Sequence, residues 1–451
     1  MIKYFDCMDE TNNPDEEIEP FSEITEANRQ DDQESAECSI EWEKSDLNLL
    51  SAYQNASSKF WRHVSWSPDG TCFLAYSNNN NLCILNLPND LYSTENPQLD
   101  VTIQCKESDL INDVQWFPSM NSNDPDSCCF LAVARKGQVH LWDAYSGTLR
   151  ASYIPFNHVG ESATVYSCRF SNDRKRIYAG SDRCILVFNL YRPGCESIRL
   201  PKVGVKSYLG GKYLALAVPT GPSSPLYAAG SHNGNVAVWS EHESPKNAVA
   251  SLSTDAPGVS QLEFSPDGTL LAASCRISPR LLVWDLRNVR SPLFTLRRRA
   301  ENHQPFQFHF YSNSVIITGS QTGAMFAYSL NSQYQEDQEH FDSSYLKPMA
   351  KFRVHEDSCP SLSLHPSLPL LLTVSGQRRV NTSRFYNSFK CSSDEETDSE
   401  NESYPINLQL SEAFQLNADD TTSSWRSLPK SSKLYNLPSE SCIKLWSIKQ
   451  T

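Results

Sequence analysis

Seven short apolar segments end in the same way, and this repetition constrains the fold of the chain more than any other feature. The two strongest copies end in Trp142-Asp143 and Trp284-Asp285. Five weaker copies end in an aromatic residue or leucine followed by a small polar residue: Leu85-Asn86, Phe188-Asn189, Trp239-Ser240, Tyr328-Ser329 and Trp446-Ser447. Such endings close the third strand of a β-propeller blade, so seven endings predict seven blades.

The intervals between these endings indicate where the array is irregular. Successive aromatic or leucine positions lie 57, 46, 51, 45 and 44 residues apart, and the last interval is 118 residues. A blade of this type takes about 40 to 45 residues. The seventh blade is therefore predicted to carry an insertion at residues 380–438, where the polar acidic run 392–400 is typical of disorder.

Turn chemistry and strand spacing divide the rest of the chain into blades. Ser67-Pro68-Asp69-Gly70 and Ser265-Pro266-Asp267-Gly268 follow the inner strands of blades one and five. They supply the fixed φ of proline, the side-chain acceptor of aspartate and the left-handed glycine that a tight turn needs. The inner strand of blade four, the least regular blade, is predicted within residues 212–217. Only five residues follow Trp446, so residues 47–53 are predicted to supply the outer strand of blade seven and close the ring.

The predicted fold class is therefore all-β: a seven-bladed β-propeller of residues 47–451, closed by an N-terminal strand. Residues 1–46 are rich in Asp, Glu, Asn and Ser and are predicted to form a disordered acidic tail. This tail carries 16 acidic and 3 basic residues, whereas residues 47–390 carry 31 basic and 27 acidic residues. The body is mildly basic although the whole chain has a formal charge of -14, and such a body can approach a polyanion.

The cysteines and the apolar segments indicate the compartment. The 14 cysteines form no CxxC pair and no Cys/His cluster at metal-ligand spacing, so they favour a reducing environment. Cys72, Cys83, Cys168 and Cys184 fall within predicted strands as small apolar residues. The N-terminus has no apolar core of signal-peptide length, and no run of 18 apolar residues occurs. We expect a soluble monomer of the nucleus or cytoplasm that has no membrane partner.

Catalytic motifs are missing from the sequence, which has no GxSxG, P-loop or HExxH. His158, His232, His309 and His355 lie near predicted strand ends, where a histidine usually bonds a neighbouring hydroxyl or backbone group. A propeller enzyme would need a metal cage or paired carboxylates at the central channel, and the predicted inner strands suggest neither. The chain is predicted to be a non-enzyme without metal or cofactor.

Arginine recurs in the turns between second and third strands. In a propeller these turns share one face with the links from each outer strand to the next inner strand. Four of six such turns contain arginine, at residues 135–137, 181–183, 275–280 and 376–379. The same face receives Asn157-His158, the segment 297–304, and Phe60, Trp61 and Arg62.

This combination of residue types is the one that single-stranded or looped RNA requires. Arginine binds phosphate, Asn, Gln and His read base edges, and aromatic rings stack on bases. The face is therefore predicted to bind RNA. The alternative is a protein-only adaptor, for instance a ubiquitin-ligase substrate receptor that holds peptides on the same face.

Several strings resemble the WD-repeat telomerase Cajal body protein family. Residues 140–153 (HLWDAYSGTLRASY), followed by Asn157-His158, are similar to the junction of its second and third blades. Residues 364–370 with 375–378 are similar as well, and so is Trp284-Asp285-Leu286-Arg287. The likeness covers about residues 60–380 and the acidic insertion. It is poor in blade four, and the N-terminal region is short and acidic where the family has a long proline-rich one.

The resemblance implies a seven-bladed scaffold that binds a loop motif, the Cajal body box, in small Cajal-body RNAs and in telomerase RNA. It further implies retention of these RNAs in nuclear Cajal bodies and a contribution to telomerase function. Association with the H/ACA core proteins and folding by the cytosolic chaperonin are implied in the same way.

The face and the resemblance together predict the site residues. Seven arginines are expected to contact phosphates or bases: Arg135, Arg183, Arg276, Arg280, Arg287, Arg378 and Arg379. Six residues are candidates for stacking or base recognition: Phe60, Trp61, Asn157, His158, Asn302 and Gln304. For Arg287, which follows a Trp-Asp pair, a structural bond to the neighbouring blade is an equal alternative.

The acidic insertion contains three candidate phosphorylation sites, Ser393, Thr397 and Ser399, each with glutamate three residues later. A segment of this charge would compete with RNA for the basic face. A solvated spacer is the alternative.

Overall fold

Seven four-stranded antiparallel sheets make up the described part of the chain, as the repeat predicts. The computed structural model describes residues 40–54, 60–88, 91, 97–135, 137–200, 209–221, 224–241, 248–331, 345–376 and 440–450. Residues 1–39 of the predicted tail and the predicted insertion at 380–438 lie outside these ranges. Helix within them is limited to the 3-10 turns Trp42–Lys44 and Pro125–Ser127, and none of it has the length and hydropathy needed to cross a membrane.

Each sheet is one blade, whose first strand lines the centre of the ring and whose fourth strand lies at the rim. Blade one comprises β2 (Trp61–Trp66), β3 (Cys72–Ser77), β4 (Asn81–Asn86) and β5 (Val101–Lys106). Blade two comprises β6 (Ile111–Trp116), β7 (Cys129–Ala134), β8 (Val139–Asp143) and β9 (Leu149–Tyr153). Blade three comprises β10 (Ser167–Phe170), β11 (Arg176–Ser181), β12 (Cys184–Asn189) and β13 (Ile198–Leu200). Blade four comprises β14 (Tyr213–Ala217), β15 (Leu226–Ser231), β16 (Asn235–Ser240) and β17 (Ala250–Ser253). Blade five comprises β18 (Val259–Phe264), β19 (Leu270–Cys275), β20 (Arg280–Asp285) and β21 (Phe294–Arg297). Blade six comprises β22 (Phe308–Ser312), β23 (Val315–Gly319), β24 (Ala324–Ser329) and β25 (Ala350–Arg353). Blade seven comprises β26 (Ser361–Leu364), β27 (Leu370–Val374), β28 (Cys442–Gln450) and, from the N-terminal end, β1 (Ser45–Gln54).

β1 and β28 join the two ends of the described chain in blade seven. They pair antiparallel from Ser45 opposite Gln450 to Gln54 opposite Cys442, with a register shift between Leu49 and Ser51. This is the position that the sequence predicted for residues 47–53. Blade seven therefore has its full four strands only when the N-terminal segment is in place.

The folded part begins before the boundary predicted at residue 46. Trp42 is 1% exposed, and its ring lies edge-on to that of Tyr311 with centroids 5.8 Å apart. The backbone N–H of Ile40 donates to the Tyr311 hydroxyl at 3.1 Å. The folded part therefore includes Ile40 and Trp42, which the sequence assigned to the tail. One tryptophan and one isoleucine in an acidic segment show no period, so the sequence alone could not place them in a core.

The middle strands of the blades form the core. β3, β7 and β19 are buried along their whole length, because both faces of a blade pack against neighbouring blades. Such strands are continuous apolar runs rather than alternating ones. Ten of the eleven cysteines in the described ranges are buried, and all eleven are unpaired. Burial raises the pKa of Cys83 to about 11, so these thiols act as small apolar groups, as predicted.

The tight turns after the inner strands have the chemistry that the sequence predicted. In blade one, Ser67 Oγ donates to Asp69 Oδ1 at 2.6 Å and Gly70 N donates to Ser67 O at 2.9 Å. Gly70 has a φ of 74° and its counterpart in blade five, Gly268, has a φ of 71°. Glycine adopts this left-handed conformation without a steric penalty, and the turn then leads directly into the second strand.

Candidate nucleic-acid interface

Two sets of loops form one end of the propeller, here called the upper face. They are the turns that join second to third strands and the links from an outer strand to the next inner strand. Backbone hydrogen bonds connect the two sets: Arg135 N donates to Leu110 O at 2.8 Å, and Arg276 N donates to Gly258 O at 2.9 Å. The end formed by the remaining turns is called the lower face.

Four of the predicted arginines lie on the upper face. Arg135, Arg183 and Arg276 occupy second-to-third turns, and Arg280 opens β20 beside its turn. Arg183 N donates to Gly211 O at 2.8 Å, with a φ of 57°. The turn positions read from the repeat thus bring these arginines from blades two, three and five to one surface.

These arginines differ in whether an acidic side chain neutralises them. Arg135 Nε lies 3.5 Å from Asp109, and Arg280 Nη1 lies 2.5 Å from Asp255. Among the described residues, no acidic side chain lies within ion-pair distance of Arg183 or Arg276. The upper face therefore holds both paired and unpaired guanidinium groups.

Arg62 and Arg276 lie near the mouth of the central channel. Arg62, at the start of β2, donates from Nη1 to Ile111 O at 2.9 Å, and its guanidinium lies 5.7 Å from the ring centroid of Tyr76. The Arg276 side chain runs across Gly258, where a Cβ atom would lie 3.6 to 3.7 Å from its aliphatic carbons. Burial, together with the nearby charge of Arg62, lowers the pKa of Arg276. Two cations from blades one and five are thus close enough to repel each other.

Arg287 does not lie on the upper face, and its predicted place among the site residues is corrected. It occupies the turn between β20 and β21, on the lower face. Its side chain is 77% exposed, and Nη2 lies 2.7 Å from Asp285. A residue that follows the Trp-Asp pair leaves the third strand at the end opposite to the second-to-third turns, so it cannot share their surface.

Trp61 is also corrected as a candidate for stacking on a base. Its side chain is 0% exposed, and its ring packs 6.1 Å from that of Tyr53. The pairing of β2 with β3 shifts register between Trp61 and His63. The ring is therefore part of the core between blades seven and one, and it has no free face.

The remaining candidates on the upper face differ in how far the fold already uses them. Asn157 Oδ1 accepts from the backbone N–H of Glu161 at 2.9 Å, and Asn302 Oδ1 accepts from that of Gln304 at 3.1 Å. Both residues thus shape their own loops. Gln304 Nε2 donates to Gly376 O at 2.8 Å, whereas its Oε1 is buried without a partner among the described residues.

The rings next to these amides are more accessible. His158 is exposed, and Phe60 is half-buried beside the turn of blade seven. A Cβ atom at Gly376 would overlap the Cβ of Phe60, so glycine is required there for the two segments to approach.

Five predicted residues fall in the range 377–439, outside the described part of the chain: Arg378, Arg379, Ser393, Thr397 and Ser399. Their roles as RNA contacts and as phosphorylation sites stay predictions. The described chain stops at Gly376 and resumes at Glu440, in the second-to-third turn of blade seven. The predicted insertion therefore leaves from the upper face and returns to it.

The inner strands enclose a cavity of about 570 Å³ along the axis of the ring. Asp113 and Arg169 face it from blades two and three, with Nη1 and Oδ2 2.6 Å apart. Burial acts to lower the pKa of Arg169, but the negative charge of Asp113 and other nearby groups outweighs burial, and the pKa of Arg169 is raised overall. From blades five and six, Glu263 lies 3.2 Å from His309 Nδ1. The channel wall thus contains two carboxylates and the arginine that pairs with one of them, whereas Arg62 and Arg276 at the mouth have no acidic partner among the described residues.

Sequence reasoning missed these channel residues. Arg169 and Glu263 stand between buried apolar neighbours in β10 and β18. A single charged residue in an otherwise apolar inner strand was the available signal, because alternate side chains of such a strand point to the ring axis. Which of them meet across the channel depends on the packing of the blades.

Polar side chains of the channel also tie neighbouring inner strands together. Gln261 Nε2 donates to Phe308 O at 2.6 Å, and Phe308 N donates to Gln261 Oε1 at 3.0 Å. His63 Nδ1 lies 2.9 Å from Gln307 Oε1 and joins blades one and six. Burial lowers the pKa of His63 to about 3, so the ring is neutral at physiological pH. The channel wall is therefore a fixed, hydrogen-bonded surface.

His355, Glu440 and Cys442 form a cluster of possible metal ligands in blade seven, with ligand atoms within 4.8 Å of one another. Lys444 Nζ lies 2.7 Å from Glu440 Oε1 and supplies the positive charge that a metal ion would otherwise provide. His355 Nε2 lies 2.9 Å from Thr373 Oγ1, which accepts from Trp446 Nε1 at 2.8 Å. His355 thus bonds a neighbouring hydroxyl, as predicted for a histidine near a strand end.

A family model agrees with the blade boundaries. The model described as WD domain, G-beta repeat matches residues 153–189 and 246–285. The two matches end with the third strands of blades three and five, β12 and β20. The repeat inferred from the strand endings is thus of the WD type.

Several proteins with a similar sequence carry the same name. Telomerase Cajal body protein 1 of Mus musculus is 32% identical over 336 residues, which is 73% of this chain and 61% of that protein. The Homo sapiens protein of that name is 31% identical over 335 residues, 73% of this chain and 59% of that protein. The Drosophila melanogaster protein, Telomerase Cajal body protein 1 homolog, is 30% identical over 327 residues, 69% of this chain and 56% of that protein. The chain spans about three fifths of the length of these relatives.

Proposed function

The chain is a homologue of the telomerase Cajal body protein 1 family of WD-repeat proteins, and from this relationship we propose that it is a non-catalytic scaffold that binds looped RNA on its upper face. The proposed ligand is the Cajal body box loop of small Cajal-body RNAs and of telomerase RNA. The names of the relatives refer to telomerase and to the Cajal body, and they support a proposed location of this chain in the nucleus, in Cajal bodies. The H/ACA core proteins and the cytosolic chaperonin are its proposed protein partners.

The observation that carries this proposal is the set of arginines without acidic partners on the upper face. Among the described residues, Arg183 and Arg276 have none, and the contacts of Arg62 there are a backbone carbonyl and the Tyr76 ring. An unpaired guanidinium on a protein surface attracts anions, and its planar donor fork fits a phosphate. Three such groups from blades one, three and five favour a phosphate-bearing ligand that spans the ring.

Looped RNA suits this surface better than duplex. A-form duplex displays mainly its phosphates and 2′-hydroxyls to proteins, whereas a loop exposes base edges and faces as well. The upper face offers groups for both: guanidinium groups for phosphates, and the exposed His158 ring and half-buried Phe60 ring for bases. The combination is typical of recognition of an unpaired segment.

Replacing Arg276 and Arg378 together by glutamine is expected to weaken binding of a hairpin RNA with a Cajal body box loop. A hydrogen bond to a charged group contributes about 1.5 kcal/mol or more, so removing two such bonds reduces the affinity by at least about a hundredfold. The slope of log affinity against log salt should become shallower by about 0.7 for each phosphate that the variant no longer neutralises. Fluorescence anisotropy over a salt series measures both quantities.

The matched control is Arg287→Gln, which removes an exposed arginine from the lower face. It should leave the affinity and the salt slope as in the wild type. Equal affinity and equal slope in the wild type and the Arg276→Gln, Arg378→Gln double variant would exclude the proposed surface. Crosslinking in cells, followed by sequencing of the attached RNA, distinguishes RNA binding from the adaptor alternative. A protein-only adaptor would show no enrichment of Cajal-body RNA.

Neutralising the acidic partners of the upper-face arginines is expected to have the opposite effect. Asp109→Asn and Asp255→Asn release Arg135 and Arg280, and exposed ion pairs contribute only about 0 to 1 kcal/mol to folding. RNA should bind more tightly at low salt, with a slope steeper by about 0.7 for each arginine that binds a further phosphate. Asp285→Asn on the lower face is the control. An unchanged slope in the double variant means that these two arginines lie outside the bound RNA.

A further inference from the structure

Building on the proposed function, on which this site depends, we propose that the central channel accepts one unpaired RNA nucleotide. Its phosphate lies between Arg62 and Arg276 at the mouth, and its base enters the channel. The site would then select RNA with an extruded loop nucleotide, rather than any strand that follows the upper face.

The channel has the room that such a nucleotide needs. Pockets of about 300 to 1,000 Å³ bury small organic molecules in proteins, and the cavity along the ring axis encloses about 570 Å³. Arg62 and Tyr166 lie at its upper end, where the inner strands β2 and β10 begin, and Leu214 lines it from β14. An unpaired loop nucleotide costs the least to extrude, because no base pair has to be broken.

The charges of the channel orient a nucleotide in one direction. The mouth carries Arg62 and Arg276, whose mutual repulsion an anion between them would relieve. Deeper in the channel, Arg169 neutralises Asp113, and the remaining carboxylate of Glu263 repels a phosphate. A neutral base meets no such barrier, and its amino groups can donate to carboxylate oxygens. The phosphate is therefore kept at the mouth while the base goes inside.

The wall also offers groups that can read a base. His309 directs Nδ1 to Glu263 at 3.2 Å, and its Nε2 is buried without a partner among the described residues. The rings of His63 and Tyr76 stack at a centroid distance of 5.2 Å and form a flat part of the wall. Base recognition in loops uses this pairing of a flat surface with a few directed polar atoms.

The test closes the channel without changing its charge. Leu214→Trp fills the space beside β14, and Leu214→Met is the matched control that keeps it open. The probe is a hairpin RNA selected on the wild-type protein from a pool with a randomised loop, together with versions that are abasic at one loop position each. Affinities are measured for the wild type and both Leu214 variants, after circular dichroism has shown that each variant is folded.

One abasic position is expected to weaken binding to the wild type and to Leu214→Met by at least about tenfold. Leu214→Trp should bind the intact hairpin about as weakly as the wild type binds that abasic version. Its salt slope should equal that of the wild type, since every arginine at the mouth is still present. Arg62→Gln with Arg276→Gln should instead flatten the slope. If Leu214→Trp keeps wild-type affinity and the same abasic profile, the channel site is overturned while the proposed function stands. If the wild-type protein selects no hairpin, the proposed function itself fails.

Discussion

Replacing Trp42 by alanine is expected to lower the free energy of unfolding of the propeller by about 3 to 5 kcal/mol, the usual cost of removing a fully buried large aromatic side chain. Trp42 packs beside Tyr311 and Phe352, with ring centroids 5.8 and 6.5 Å away. Its indole N–H has no hydrogen-bond partner among the described residues. The effect is therefore one of packing, and urea unfolding followed by circular dichroism measures it.

This result would separate two views of the N-terminal boundary. If residues 40–46 continued a disordered tail, as their composition suggests, Trp42→Ala would have no effect on stability. The control is Glu43→Ala, one residue away and exposed, which should change the free energy of unfolding by less than about 0.5 kcal/mol. Equal unfolding midpoints for the two variants would return the boundary to residue 46.

Glu440→Ala is the second change with a large expected effect, a decrease of about 3 kcal/mol in stability, because it removes one partner of a largely buried ion pair. Glu440 Oε1 lies 2.7 Å from Lys444 Nζ and 3.4 Å from His355 Nδ1. Its Oε2 accepts from Glu356 N at 2.6 Å. The carboxylate thus holds together the link into blade seven and the start of β28.

The effect of Glu440→Ala should depend on pH. Burial acts to raise the pKa of Glu440, but His355 and Lys444 hold it well below its usual range. A carboxylate with a lowered folded-state pKa stabilises the fold fully above its unfolded pKa, about 4.3, and loses that contribution as the pH falls. The stability difference between wild type and Glu440→Ala should therefore be constant near neutrality and narrow below about pH 4.3.

The control for this prediction is Glu356→Ala, which removes an exposed glutamate that pairs with Arg353 at 2.6 Å on the surface. Exposed pairs contribute about 0 to 1 kcal/mol, so only a small change is expected. A difference for Glu440→Ala that is no larger than this, or that widens as the pH falls, would contradict the role assigned to the carboxylate. Denaturant unfolding at a series of pH values provides both measurements.

The architecture was accessible to sequence analysis because its determinants are local. Short apolar runs between turn signals specify strands, and turns such as 67–70 and 265–268 contain the proline, aspartate and glycine that their geometry requires. Repetition of this unit gives the blade count, and the missing outer strand of blade seven points to residues 47–53. Even the inner strand of irregular blade four was located, because a blade must fill the interval between its neighbours.

The candidate site was less accessible, because it depends on contacts between residues distant in the sequence. The repeat predicts that Arg135, Arg183, Arg276 and Arg280 reach the upper face, but not that Asp109 and Asp255 neutralise two of them. Arg287 stands near the other arginines in sequence and lies on the opposite face, because each strand carries the chain from one end of the ring to the other.

By itself, then, the sequence determined that this chain is a seven-bladed propeller whose arginine-bearing turns share one face. Both follow from period and turn chemistry, which act over a few residues. Only the tertiary structure decided that Trp42 and Trp61 are core residues, that the charge of Arg62 reaches Arg276, and that Asp113 and Glu263 line the channel. Burial and charge pairing are set by distances between blades, and these distances exist only when the ring is closed.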